Sequence, residues 1–199
     1  MFTVKNLEEK VKQLGADIEY YGQGPVTDNS FPYRIMIKMP PTKEQAKNDE
    51  SGEVLQFTSV DEAYNRLLKW AELCSLKHDI KKKEVEQFIR DKLSTNDNWA
   101  KKALLTIMSR QTVEEQNAER TVYNNKVGFT GHDSPLMTSF AKQLAAKGWL
   151  SKRQMEVLKK TIKKYWKQIA DASDELALLR IVKAARNAQQ MTLKLEDHI

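Results

Sequence analysis

At 199 residues, with 40% hydrophobic and 30% charged positions and only seven glycines and five prolines, the chain suits one ordinary domain or two small ones and is too apolar for wholesale disorder. It has no uninterrupted apolar run of the ~18 residues a membrane-spanning helix needs, and residues 1–12 interleave charge with apolar side chains where a secretion signal would be apolar. A protein of the cytoplasm, without membrane partners, is expected. The single cysteine, Cys74, rules out a disulfide framework within these residues, and its place on an apolar helical stripe predicts an inert buried thiol.

Charge is unevenly spread. The net charge is +6, from 33 basic and 27 acidic residues. The stretch Lys142–Lys167 alone holds Lys142, Lys147, Lys152, Arg153, Lys159, Lys160, Lys163, Lys164 and Lys167 against one acid, Glu156, which leaves the remainder of the chain near balance. Such asymmetry favours nucleic acid or another polyanion as a partner; a solvated helix face is the competing explanation.

In chain order, Val4, Leu7, Val11 and Leu14 follow the period of a short amphipathic helix that stops at Gly15. Residues 17–21 are strand-like. Tyr33, Ile35, Ile37 and Met39 alternate on one strand face and Pro40 and Pro41 end it, while residues 53–58 alternate again through Val54, Leu55 and Phe57. Ser59 and Glu62 form a capping-box pattern opening a helix through Ala63, Leu67, Trp70, Leu73 and Cys74. Beyond residue 77 only helical patterns occur. Val85, Phe88, Ile89 and Leu93 mark one helix, and Trp99, Ala103, Leu104, Ile107 and Met108 mark the next. Thr112 with Glu115 starts a short polar helix, and Asp133, Ser134 and Pro135 start another that ends at Gly148. Ser151 with Gln154 opens the longest helix, and Ser173–Glu175 opens the last, with Leu176, Leu179, Val182, Ala185 and Arg186 as its buried stripe. The expectation is an α+β chain, a small N-terminal strand-strand-helix module over residues 1–77 followed by an all-helical C-terminal bundle over residues 78–199. The N-terminal sheet leaves the strand at residues 33–39 as an edge on which a partner strand can pair.

The long helix carries the chemistry. Met155, Leu158, Ile162, Tyr165 or Trp166, and Ile169 form its core-facing stripe, and Lys159, Lys160, Lys163, Lys164 and Lys167 fall on the other faces. From Lys152 to Lys167 it spans roughly 22 Å, about six base pairs of duplex. Lys152, Arg153, Lys159, Lys160, Lys163, Lys164 and Lys167 are therefore the expected phosphate-binding residues, reading charge and not sequence. Tyr165 and Trp166 are candidates to stack an unpaired base, with burial in the core as the alternative. The loop at residues 123–133 adds Asn125 and Lys126 as a second contact. Gly128 and Gly131 allow close backbone approach, and the helix start at Asp133 supplies free N–H groups for an anion. Against that, Phe129 reads as a plug for the helical core, and the loop is neither a Walker loop nor a dinucleotide fingerprint.

No catalytic or metal constellation emerges. His78, His132 and His198 are far apart with no paired-ligand spacing, and His132 with Asp133 is the nearest approach to one. No cofactor is expected. Tyr20 and Tyr21 lack the histidine pair of a nicking enzyme, and Glu53 is not followed two positions on by lysine. A metal-dependent nuclease with dispersed carboxylates is kept as a third reading.

The residues Asn98–Ala100, Ala103–Leu105, Ile107, Gln111–Gln116, Asn124–Asn125, Gly128–Phe129, Asp133, Ser139–Ala141 and Leu150–Gln154 resemble a helical module recurrent in uncharacterised phage- and plasmid-encoded proteins, some beside replication or recombination genes. The likeness covers about residues 96–169. It implies a mobile-element origin and a setting of nucleic-acid transactions, and it carries no catalytic residues. Two functional expectations follow: a phage-type accessory protein that binds DNA or RNA without turnover, acting in the host cytoplasm, or an inhibitor or adaptor that grips a host protein or nucleoprotein complex.

Overall fold

The computed structural model describes residues 3–13, 19–22, 35–38, 54–57, 59–111 and 127–196. The chain divides into two compact units, Met1–Ser75 and Leu76–Ile199.

The first unit opens with α1 (Val4–Gln13). Thr3 and Asn6 cap it reciprocally: the Asn6 N–H donates to Thr3 Oγ1 at 3.2 Å and the Thr3 N–H to Asn6 Oδ1 at 2.9 Å. Strands β1 (Glu19–Gly22), β2 (Ile35–Lys38) and β3 (Val54–Phe57) form one antiparallel sheet in that order, with Tyr20 opposite Ile37 and Ile37 opposite Leu55. Helix α2 (Val60–Asp79) follows, its first turn held by Ser59 Oγ accepting from the Glu62 N–H at 3.2 Å, and its last residues, from Leu76 on, belong to the second unit. Leu7 and Val11 of α1, Ile37 and Phe57 of the sheet, and Ala63 and Leu67 of α2 make one core, with Trp70 packed at its margin.

The expected α+β plan of a strand-strand-helix module joined to a bundle needs correction. The chain is predominantly helical: eight α-helices stand among the described residues against three strands of four residues each. The sheet is too small to bury a core by itself. It does so by sandwiching apolar residues with two helices, because α1, the short amphipathic helix expected from Val4, packs into the same core as α2. Cys74 corrects a second expectation, since it lies exposed on α2. Only Ile35–Lys38 of the expected edge strand at 33–39 is described, and it pairs on both sides, so it is not an edge.

In the second unit, α3 (Lys82–Thr95) and α4 (Asp97–Ser109) are separated by Asn96 alone. That residue ends one helix through its N–H on the Lys92 carbonyl and starts the next through its side chain, which accepts from the Asn98 and Trp99 N–H groups at 2.9 and 3.1 Å. Helix α5 (Ser134–Lys147) terminates at Gly148, whose φ of 76° is the left-handed conformation a helix end requires. Helix α6 (Lys152–Ile162) starts at a complete capping box between Ser151 and Gln154. It is followed by a 3-10 turn at Lys163–Tyr165, then α7 (Trp166–Ala172) and α8 (Glu175–Glu196).

The expected single helix from Ser151 to Ile169 is thus broken. Each 3-10 residue advances about 120° instead of 100°, so three of them turn the following helix by about 60°. Ile89, Leu93, Leu104, Ile107, Met137, Leu158 and Ile162 are fully buried among these helices. On α8 the buried residues are Leu178, Leu179 and Val182. Arg186, expected on that buried stripe, is half-buried and instead reaches Asp79 at 2.7 Å and Glu84 at 3.4 Å, tying α8 to the junction of α2 and α3. The expected helix near residues 112–120 lies outside the described residues.

Candidate nucleic-acid interface

Arg153, Lys160 and Lys167 recur every seven residues, about two helical turns, opposite the buried Met155, Leu158 and Ile162, and Lys163 flanks them. All four are exposed, as is Lys152. None of the five meets a carboxylate within ion-pair distance among the described residues, whereas other lysines do. Lys152 and Arg153 also occupy the first turn of α6, which contains no acid. Cations there oppose the partial positive charge of the helix N-terminus, so helix stability does not account for their placement.

Two of the expected phosphate ligands serve the fold instead. Lys159 is half-buried and ion-paired to Asp97 at the start of α4. Lys164 is ion-paired to the buried Asp133 and lies 5.6 Å from the centre of the Tyr165 ring. Asn125 and Lys126 lie outside the described residues.

Tyr165 corrects another expectation. It is buried, so its ring offers no stacking face. The ring meets Phe129 edge-on, with centroids 5.6 Å apart and planes at 86°, and its hydroxyl donates to Asp133 Oδ2 at 2.5 Å while accepting from the Thr130 N–H at 3.0 Å. Burial, together with the Asp133 carboxylate beside it, pushes the phenol up to about 12. Burial also opposes ionisation of Asp133, but the Lys164 ammonium and the Tyr165 and Thr130 hydroxyls outweigh it and hold the carboxyl below the usual carboxylate range. Asp133 precedes α5 as expected of a cap residue, yet its side chain makes no cap bond: its oxygen is committed to this cluster.

The loop before α5 is likewise closed to an anion at two of its N–H groups. Gly128, at φ 83°, is gripped by the Gln168 amide, which accepts from its N–H at 2.9 Å and donates to its carbonyl at 3.0 Å. The Thr130 N–H is taken by Tyr165. Phe129 is fully buried. The described part of the loop plugs the helical core with Phe129, and protein oxygens already take two of the N–H groups an anion would use.

Trp166 is the stacking candidate that stays accessible. Half-buried, it lines a cavity of about 580 Å³ whose walls come from the end of α2, α3, α7 and α8. Buried Ile80, Leu178 and Leu179 form its apolar part, and Lys77, Lys82 and Lys167 its cations. Lys77 pairs with Glu175 at 2.8 Å, leaving Lys82 and Lys167 without a carboxylate partner among the described residues. Sequence reasoning missed Lys77 and Lys82, since nothing local associates them with a tryptophan more than 80 residues away. Among the described residues no three His, Cys, Asp or Glu side chains converge as a metal site would require, and no helix is long and apolar enough to cross a membrane.

The chain matches no protein-family model, no curated protein and no solved structure.

Proposed function

We propose that this is a non-enzymatic nucleic-acid-binding protein, an accessory factor of mobile-element type, that holds the phosphate backbone on Lys152, Arg153, Lys160, Lys163 and Lys167. One observation carries the reading: five exposed cations line one side of α6 and the start of α7 with no acidic partner among the described residues, two of them at a helix end where they weaken the helix. Counterion release from the phosphates supplies the free energy, and lysines on phosphates read no sequence.

Fluorescence anisotropy of labelled DNA and RNA over a salt series tests this. Affinity should fall steeply with salt, and Arg153→Glu/Lys160→Glu/Lys163→Glu/Lys167→Glu should abolish binding with the fold intact. Lys159 and Lys164 are left unaltered, because reversing them breaks the ion pairs to Asp97 and Asp133. Absence of binding to DNA and RNA at low salt would overturn the reading.

A second reading, an inhibitor or adaptor that grips a host protein, draws on Trp149. It is 56% exposed just after α5, a residue type that anchors protein interfaces. A host protein retained through nuclease treatment and lost on Trp149→Ala would favour it.

A further inference from the structure

We infer that the cavity lined by Trp166 is a pocket for one unpaired nucleobase, so that the protein prefers single-stranded to fully paired nucleic acid; this rests on the basic stripe being a phosphate-binding surface. The cavity, about 580 Å³, falls within the range of small-molecule sites. Its apolar floor of Ile80, Leu178 and Leu179 suits a flat ring. The half-buried Trp166 lines the same cavity and supplies an aromatic ring on which a base can stack. Asp171 on the same wall supplies an acceptor for an exocyclic amine.

Charge chooses the occupant. Lys167 belongs both to the exposed stripe and to the cavity wall, and Lys82 stands on α3 at the same cavity. A backbone tracking the stripe from Arg153 to Lys167 therefore arrives at the pocket with its phosphates already neutralised. Trp166 follows directly on the 3-10 turn and, as the next residue along the helix, points about 100° away from the buried Tyr165. In a duplex the base would first have to be unpaired and unstacked, which costs a few kcal/mol; in a single strand that cost largely disappears. Stacking on an aromatic ring is tolerant of base identity, so the preference is for strandedness and not for sequence.

The test measures full-length wild type and Trp166→Leu against a single-stranded oligonucleotide, the same strand with abasic sites, and the duplex, by anisotropy at low salt. Wild type should prefer the single strand, and the abasic strand should bind about 5- to 150-fold more weakly. Trp166→Leu should lose the preference and become insensitive to abasic sites, its fold checked by circular dichroism. The abasic comparison on wild type decides the matter even if the variant unfolds. Salt-dependent binding that is equal for single strand, abasic strand and duplex would overturn the pocket while leaving the phosphate-binding stripe standing. No binding of any probe by wild type would overturn both.

Discussion

Asp133 and Tyr165 show how far a single residue's role depends on what meets it. The carboxylate that begins α5 in the sequence serves in the fold as a buried acceptor for a tyrosine hydroxyl, a threonine hydroxyl and a lysine ammonium. Tyr165→Phe removes the hydroxyl and leaves both Asp133 and the Thr130 N–H short of a partner, so a loss of about 1–3 kcal/mol is expected in chemical denaturation. Asp133→Asn should cost about 2 kcal/mol by removing charge-assisted bonds. Because its folded carboxyl is held below the unfolded value of about 3.9, the stability Asp133 contributes is complete above that pH and is lost as acid takes it through its lower folded value. Asp133→Asn should accordingly flatten the acid limb of the stability profile. Tyr165 has the opposite sign: raised to about 12, it contributes stability that is complete below the unfolded value near 10 and lost between there and its folded value. Ultraviolet titration of the wild type against Tyr165→Phe should show Tyr165 ionising late. Gly128 and Gly148 both sit at positive φ, but a Cβ at Gly128 would lie 2.5 Å from Gln111 Cγ whereas at Gly148 it meets open space. Gly148→Ala should cost about 1–2 kcal/mol of left-handed strain, and Gly128→Ala distinctly more.

At the scale of elements, α6 separates stability from function. Its N-terminus is capped by Ser151, and Ser151→Ala should cost about 1 kcal/mol. Lys152 and Arg153 just inside that cap work against the helix dipole. Lys152→Glu and Arg153→Glu should each raise stability by about 0.3–1 kcal/mol while weakening nucleic-acid binding. Thermal melting and anisotropy on the same variants check the two opposite signs together. A surface that were only a solvated helix face would show the first effect without the second. The 3-10 turn after α6 follows from the same economy of contacts. Tyr165 is drawn to Asp133 and Phe129, and Gln168 one turn on is drawn to Gly128, so the backbone tightens between Ile162 and Trp166. Hydrophobic periodicity alone reads straight through this break, because Leu158, Ile162, Tyr165 and Ile169 keep their intervals of three and four on either side of it.

Across the whole molecule, the net charge of +6 is less telling than where the unpaired cations stand. If five phosphates are neutralised by Lys152, Arg153, Lys160, Lys163 and Lys167, the logarithm of affinity should fall with the logarithm of salt at a slope near −3.5 to −4.5, and each charge removed should lower that slope by about one. Lys159→Ala should change stability through Asp97 and leave the slope unaltered, which separates cations that bind from cations that hold helices together. The sequence by itself determined the local features: the caps at Ser59 and Ser151, the stop at Gly148, the strand alternations, the helical stripes and the basic segment. Each rests on interactions within about four residues along the chain, where spacing alone states the geometry. Only the tertiary structure decided that α1 closes the N-terminal core, that Cys74 is exposed, that Lys159 and Lys164 are engaged, and that Tyr165 is buried while Trp166 faces a cavity beside Lys82. These depend on partners distant along the chain, such as Asp133 with Tyr165, Gly128 with Gln168, and Asp97 with Lys159. Which of several equivalent polar side chains is consumed by such a contact is settled by packing, and packing has no signature in local spacing.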